Sequence, residues 1–324
     1  MKQRDVSVDL LKFFAVFLII NSHMDALYPK FKMLATGGAI GDALFLFCSG
    51  YTLLLSSRQL RFDNWYKRRI NRIYPSVFVC ALVGCLFQMN GTLSVLTLGG
   101  GEFILAIMVY YMLIYGINKY LKNCVLVILV LIFMVSWLVY MLWYPYKYEL
   151  GEQGIYGITT LFRWIPYFGY MMLGAYVGLK RPFLHFRPVV DFLLLMTCLI
   201  LFYGIQLGGK IYPVVAPFQI LTILPLLGIV FYFYKWCNAG FWKKIYDNNK
   251  GYAVIMTVSG LCLESYLIQY SVFTTKMNCI FPLNLPVMVI IVLLASYLCK
   301  CLSRVFLQTF GEGDYNWRAV LKLY

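Results

Sequence analysis

A chain of 324 residues that is 62% hydrophobic and only 13% charged is not an ordinary soluble domain, in which about a quarter of the residues are charged. Its mean hydropathy is +0.75, and apolar runs of about twenty residues recur along its length, as bilayer-spanning helices require. The net charge of +15 does not point to nucleic acid, because in such a chain basic residues report membrane orientation first.

The expected fold is therefore an all-α polytopic integral membrane protein with about ten spans, at 6–27, 37–57, 74–90, 102–118, 123–144, 158–179, 188–207, 213–234, 252–273 and 284–305. Residues 1–305 form one transmembrane domain and 306–324 a short tail. With the N-terminus inside, 21 of the 28 Lys and Arg residues fall in cytoplasmic segments and five in outer loops. That asymmetry places both termini in the cytoplasm. The first span has no small-residue cleavage site after it and reads as a retained signal anchor. The ten Cys form no CxxC and no Cys/His cluster, so neither a metal nor a structural disulfide is expected. Most lie within apolar runs and act as small hydrophobes.

Taken in chain order, the first span carries Asp9, Lys12 and His23 in otherwise apolar surroundings. Lys12 and His23 are eleven apart, so they lie within about 20° around a helix axis and ~16 Å apart along it. A Lys in hydrocarbon costs ~2.5–3.5 kcal/mol on insertion scales, which favours a stripe facing protein or a water-filled cavity. The simpler reading is that Lys12 snorkels to the near interface and His23 sits at the far one.

The segment 58–75 holds six positive charges with Trp65 and Tyr66 between them. The positive-inside rule and anionic lipid account for Arg58, Arg61 and Lys67. Arg69 and Arg72 are one helical turn apart just before Pro75, and two guanidinium forks on one face make a phosphate clamp.

Other ionisable groups fall in the outer half of the spans: Asp42 in the second, Glu102 at the start of the fourth, Arg163 in the sixth and Glu264 in the ninth. With His23 they make five groups from five helices. Burying them separately is costly, so convergence on a polar cavity is expected. The opposing reading is that Glu102 and Arg163 cap interfacial helix ends, and for Glu102 the two readings are equal. Asp191 reads as structural, His185 as surface, and the aromatic outer loop 145–157 as an interfacial belt.

Several of these stretches together resemble the membrane-bound acyltransferase-3 family. They are Lys12 to His23, the run from Gly41 through Ser49-Gly50-Tyr51, Arg69-x-x-Arg72-Ile-x-Pro75, Arg163 to Gly174 and Ser259 to Gln269. The sequence departs from the family pattern at Ala43, where relatives carry Asp, and at Gln269, where they often carry His. The resemblance implies transfer of an acyl group, commonly acetyl, from cytoplasmic acyl-CoA to a hydroxyl on an extracytoplasmic or lipid-linked glycan.

On that reading Arg69 and Arg72 hold the CoA phosphates and Lys12 lines the inner passage. Ser49 and Tyr51 let the donor's arm pass or, on the competing reading, serve tight helix packing. His23, with an ordinary pKa near 6.5, is the general base. Asp42 or Glu264 orients it, and Arg163 and Glu102 meet the acceptor. The expected partners are the glycan and membrane lipid, in a bacterial cytoplasmic membrane, with no metal; the sequence does not fix the oligomeric state. Two alternatives remain at this stage: a flippase of lipid-linked glycan, for which internal repeat symmetry would be expected more often, and a receptor or assembly subunit without chemistry.

Overall fold

The computed structural model describes residues 5–54, 61–87, 101–143, 154–156 and 161–323. Among the described residues every regular element is helical and there is no strand. The longer helices are α1 (Val6–Ser22), α2 (Gly38–Leu54), α3 (Phe62–Phe87), α4 (Gly101–Tyr120), α5 (Val125–Trp143), α6 (Trp164–Lys180), α7 (Pro188–Ile211) and α8 (Ile223–Trp236). After them come α9 (Gly240–Asp247), α10 (Asn249–Gly260), α11 (Cys262–Val272), α12 (Asn284–Thr309) and the single turn α13 (Trp317–Val320). Apart from Gly154–Tyr156, the loop 145–157 lies outside the described residues, as does Arg58.

Among the described residues, seven helical segments are long and apolar enough to cross a membrane, and an eighth results if α10 and α11, bent by 67° at their junction, count as one span. Helices α1 and α6 have 17 residues each, a rise of about 25 Å against a hydrocarbon core of about 30 Å. Where these runs are described they are helical, but α1 and α6 are short for a straight crossing and the ninth run is broken. Outward-facing side chains such as Leu131, Met134, Leu138, Leu193 and Leu294 are apolar and exposed, as a lipid-facing surface requires.

The chain forms two compact units. One comprises residues 1–11, 42–58 and 114–245; the other comprises 12–41, 59–113 and 246–324.

In the first unit α7 packs along α8, and α5 along α6. The α2–α6 crossing is close. A Cβ on Gly50 would strike the Met171 carbonyl, and one on Gly174 would strike the Phe47 carbonyl. Small residues let membrane helices approach to backbone contact, where dispersion supplies most of the attraction. Gly50 therefore serves packing here. Asp191 accepts from the Arg187 N–H at the start of α7 (2.8 Å) and pairs with Lys235 of α8 at 2.5 Å, the carboxylate being fully buried. Its structural reading agrees with this geometry.

In the second unit α3, α11 and α12 pack on one another. The levels Ser76 with Glu264 and Gly84 with Ser271 show that α3 and α11 run parallel. Val79, Cys80, Ile268 and Cys299 form the core between the three. Gly41 lies against Ile19 and Gly38 against Ser22, so the start of α2 rests on the outer part of α1. Gly37 turns the chain there at φ 105°, a conformation that side chains resist. Asn21 secures the intervening loop by donating to the Leu34 and Thr36 carbonyls.

Candidate active site

The second unit carries His23, Lys12, Arg69, Arg72, Glu102 and Glu264, while Asp42, Ser49, Tyr51 and Arg163 belong to the first. His23 sits just beyond the last turn of α1. Its partner is a residue the sequence reading passed over. The Tyr270 hydroxyl lies 2.6 Å from Nδ1 and 3.2 Å from Nε2, with the ring centroids 4.7 Å apart. A hydroxyl can accept as well as donate. If Nδ1–H donates to the Tyr270 oxygen, Nε2 carries the lone pair that can take a proton, which is the arrangement a general base needs. The only sequence hint of Tyr270 was its place next to Gln269, and its aromatic surroundings masked it.

Glu264 is buried on α11 and accepts from Ser76 Oγ at 2.8 Å; Ser76 in turn lies 3.4 Å from Ser303 Oγ. Lys300 bonds to the Gly260 carbonyl, which the helix break leaves without an intrahelical donor. The Lys300 ammonium also feels the charges of Glu264, Arg304 and Arg72. Glu264 thus stands level with the middle of α3. From it to Tyr270 the helix rises about 9 Å. The expected role of Glu264 as the partner of His23 is one for which the geometry offers Tyr270 instead.

Arg69 is half-buried, with its guanidinium carbon 5.0 Å from the Trp65 ring and 5.9 Å from the Tyr111 ring. Stacking of this kind fixes the plane of the fork. Its Nε is buried and has no hydrogen-bond partner among the described residues. Arg72, a turn further along, is exposed. Arg69, Arg72 and Ser76, at i, i+3 and i+7, share one stripe of α3. Lys12 is half-buried on α1, and Glu102 is exposed at the start of α4.

In the first unit Asp42 accepts from the Tyr167 hydroxyl at 3.3 Å and feels the charge of Arg163. Two of the five outer ionisable groups are therefore neighbours. Tyr51 donates to Asp5 at 2.5 Å, and Asp5 also receives Tyr234 (3.3 Å) and pairs with Arg181 (3.2 Å). Tyr51 thus ties α2 and α8 to the head of α1. The ten Cys are all free, and among the described residues there is no metal-binding group.

A family model described as an acyltransferase domain matches residues 5–304. The chain belongs to the acyltransferase-3 family. No curated protein and no solved structure matches it. Its matched region takes in the Arg69–Arg72 stripe, the His23–Tyr270 pair, α3, α11 and α12 as far as Arg304. As a member of the family it is a multi-pass membrane acyltransferase, and the helices found here are those of such a protein.

Proposed function

We propose that this acyltransferase moves an acyl group, acetyl in the simplest case, from cytoplasmic acyl-CoA to a hydroxyl of an extracytoplasmic or lipid-linked glycan. The observation that carries the reading is the His23–Tyr270 pair in the same unit as the Arg69–Arg72 stripe. In this reading the chain crosses the membrane ten times, α1 and α6 included, with both termini cytoplasmic and the arginines facing inward.

The two guanidiniums hold the donor phosphates, with Arg69 pre-aligned by its aromatic neighbours. Lys12 lines the passage beyond them. Tyr270 accepts Nδ1–H of His23, and Nε2 takes the proton of the acceptor hydroxyl as its oxygen attacks the thioester carbonyl. The tetrahedral adduct collapses with cleavage of the C–S bond, and the imidazolium returns the proton to the departing thiolate. General base catalysis of this kind is typically worth about 10²–10⁴-fold. Glu102 is assigned to the acceptor's hydroxyls, and Glu264 to the inner wall of the donor's path.

The test is transfer from labelled acetyl-CoA in membranes bearing the protein, read by mass spectrometry of the surface glycans. His23→Ala is expected to abolish the acetyl mass increment at normal protein levels. Arg69→Ala and Arg72→Ala are expected to weaken CoA binding, with an affinity that falls as salt rises. Undiminished transfer by the His23 variant would remove the base assignment. Unaltered CoA affinity in both Arg variants would remove the clamp.

A further inference from the structure

On the face of α11 next to that of Glu264, two polar side chains are buried without their full complement of bonds. Ser265 is 1% exposed and its Oγ has no hydrogen-bond partner among the described residues. Gln269 is 0% exposed; its Nε2 donates to the Tyr266 carbonyl at 3.3 Å, while its Oε1 has no partner among them. The amide cannot be turned over, because that would set its oxygen against the Tyr266 carbonyl. A helix interior rarely keeps two such atoms unless a ligand or water completes them, since each costs stability.

The two residues are four apart, so they stand on one face with Cβ atoms about 5–6 Å from one another. They offer a hydroxyl donor and, one turn further out, an amide acceptor. A ligand that satisfies both presents a carbonyl and an N–H at about that interval. Two secondary amides separated by two methylenes do so, their carbonyl carbons being about 5 Å apart in an extended chain.

The neighbours set the direction. The Arg69–Arg72–Ser76 stripe of α3 meets α11 at Glu264, through Ser76. Beyond Gln269 comes Tyr270, which holds His23. From Arg72 to Ser76 and then from Glu264 to Tyr270 is ten residues of parallel helix, about 15 Å. An extended chain of thirteen bonds, such as joins a diphosphate to the sulfur of a pantetheine thioester, spans about 16 Å.

We propose that Ser265 and Gln269 bind the two amides of the pantetheine arm of the donor thioester. Ser265 Oγ–H donates to the carbonyl of the amide nearer the phosphates, and Gln269 Oε1 accepts the N–H of the amide nearer the sulfur. The thioester then arrives at the level of His23. This rests on the acyl-CoA reading above and adds the residues that set the depth of the arm.

The experiment uses the full chain in detergent and two probes: CoA, and adenosine 3′,5′-bisphosphate, which keeps the nucleotide end and has no arm. Ser265→Ala and Gln269→Met are each expected to weaken CoA binding about tenfold, the scale of one net hydrogen bond, and to leave the bisphosphate affinity unchanged. Their melting temperatures are expected to hold or rise, because each removes a buried polar atom that the unliganded protein leaves unsatisfied. CoA affinity equal to that of the parent in both variants would overturn the subsite, as would parallel losses for both probes accompanied by lowered melting. If the parent protein bound neither probe, the donor reading itself would fall, a result distinct from failure of the subsite alone.

Discussion

Replacing Tyr270 by Phe removes one oxygen, the one 2.6 Å from His23 Nδ1. The ring stays, and because Tyr270 is 53% exposed no buried donor is stranded by the change. What is lost is the bond that selects the tautomer and fixes the plane of the imidazole. A net hydrogen bond of 0.5–1.5 kcal/mol converts to about a 2- to 12-fold decrease in kcat. Removal of the base itself is far larger, about 10²–10⁴-fold. On the proposed mechanism KM for acetyl-CoA should be unaffected, since the hydroxyl touches His23 rather than the donor. The assay is a double-mutant cycle in acetyl transfer with Tyr270→Phe, His23→Ala and both together. Because the tyrosine acts only through the histidine, the double variant should be no slower than His23→Ala alone. Losses that multiply, or an unaltered kcat in Tyr270→Phe, would refute the reasoning.

Three further outcomes follow from the packing and the charge pairs. Gly50→Ala and Gly174→Ala should each lower the melting temperature in detergent, by the roughly 1–3 kcal/mol or more that overpacking costs, because the added methyl meets a backbone carbonyl. Asp191→Ala should cost about 3–5 kcal/mol by stranding the Lys235 ammonium, and pairing it with Lys235→Met should recover most of that loss; thermal melting of the single and double variants checks both. Arg69→Lys should weaken CoA binding although it keeps the charge, since an ammonium has neither the fork nor the flat face that Trp65 and Tyr111 align; isothermal titration with CoA measures it.

The helices were legible because each apolar run is long enough to stand out against its charged flanks, and the Arg69–Arg72 spacing was legible because i, i+3 places two residues on one face whatever surrounds them. The break between α10 and α11 was not. Hydropathy averages across a bend, and Gly260-Leu261 is an unremarkable pair until the Lys300 ammonium is seen on the Gly260 carbonyl. Glu264 lies just past that bend: the sequence counts it into the outer half of an unbroken span, and in the structure its bond is to Ser76. Tyr270 was hidden among the 27 tyrosines, since nothing in a linear pattern separates a ring at the membrane interface from one that holds an imidazole. Tyr51 read as lining a passage because its neighbours are small; its bond to Asp5 depends on a residue 46 positions earlier.

The backbone contact between α2 and α6 has a mechanical consequence. A slide of α2 by one helical turn would bring Leu46 or Leu54 onto the Met171 carbonyl, where only hydrogen fits. The pair therefore behaves as a toothed joint with one allowed register, and any rearrangement of this unit must proceed by displacing side chains or other helices, never by shearing this one.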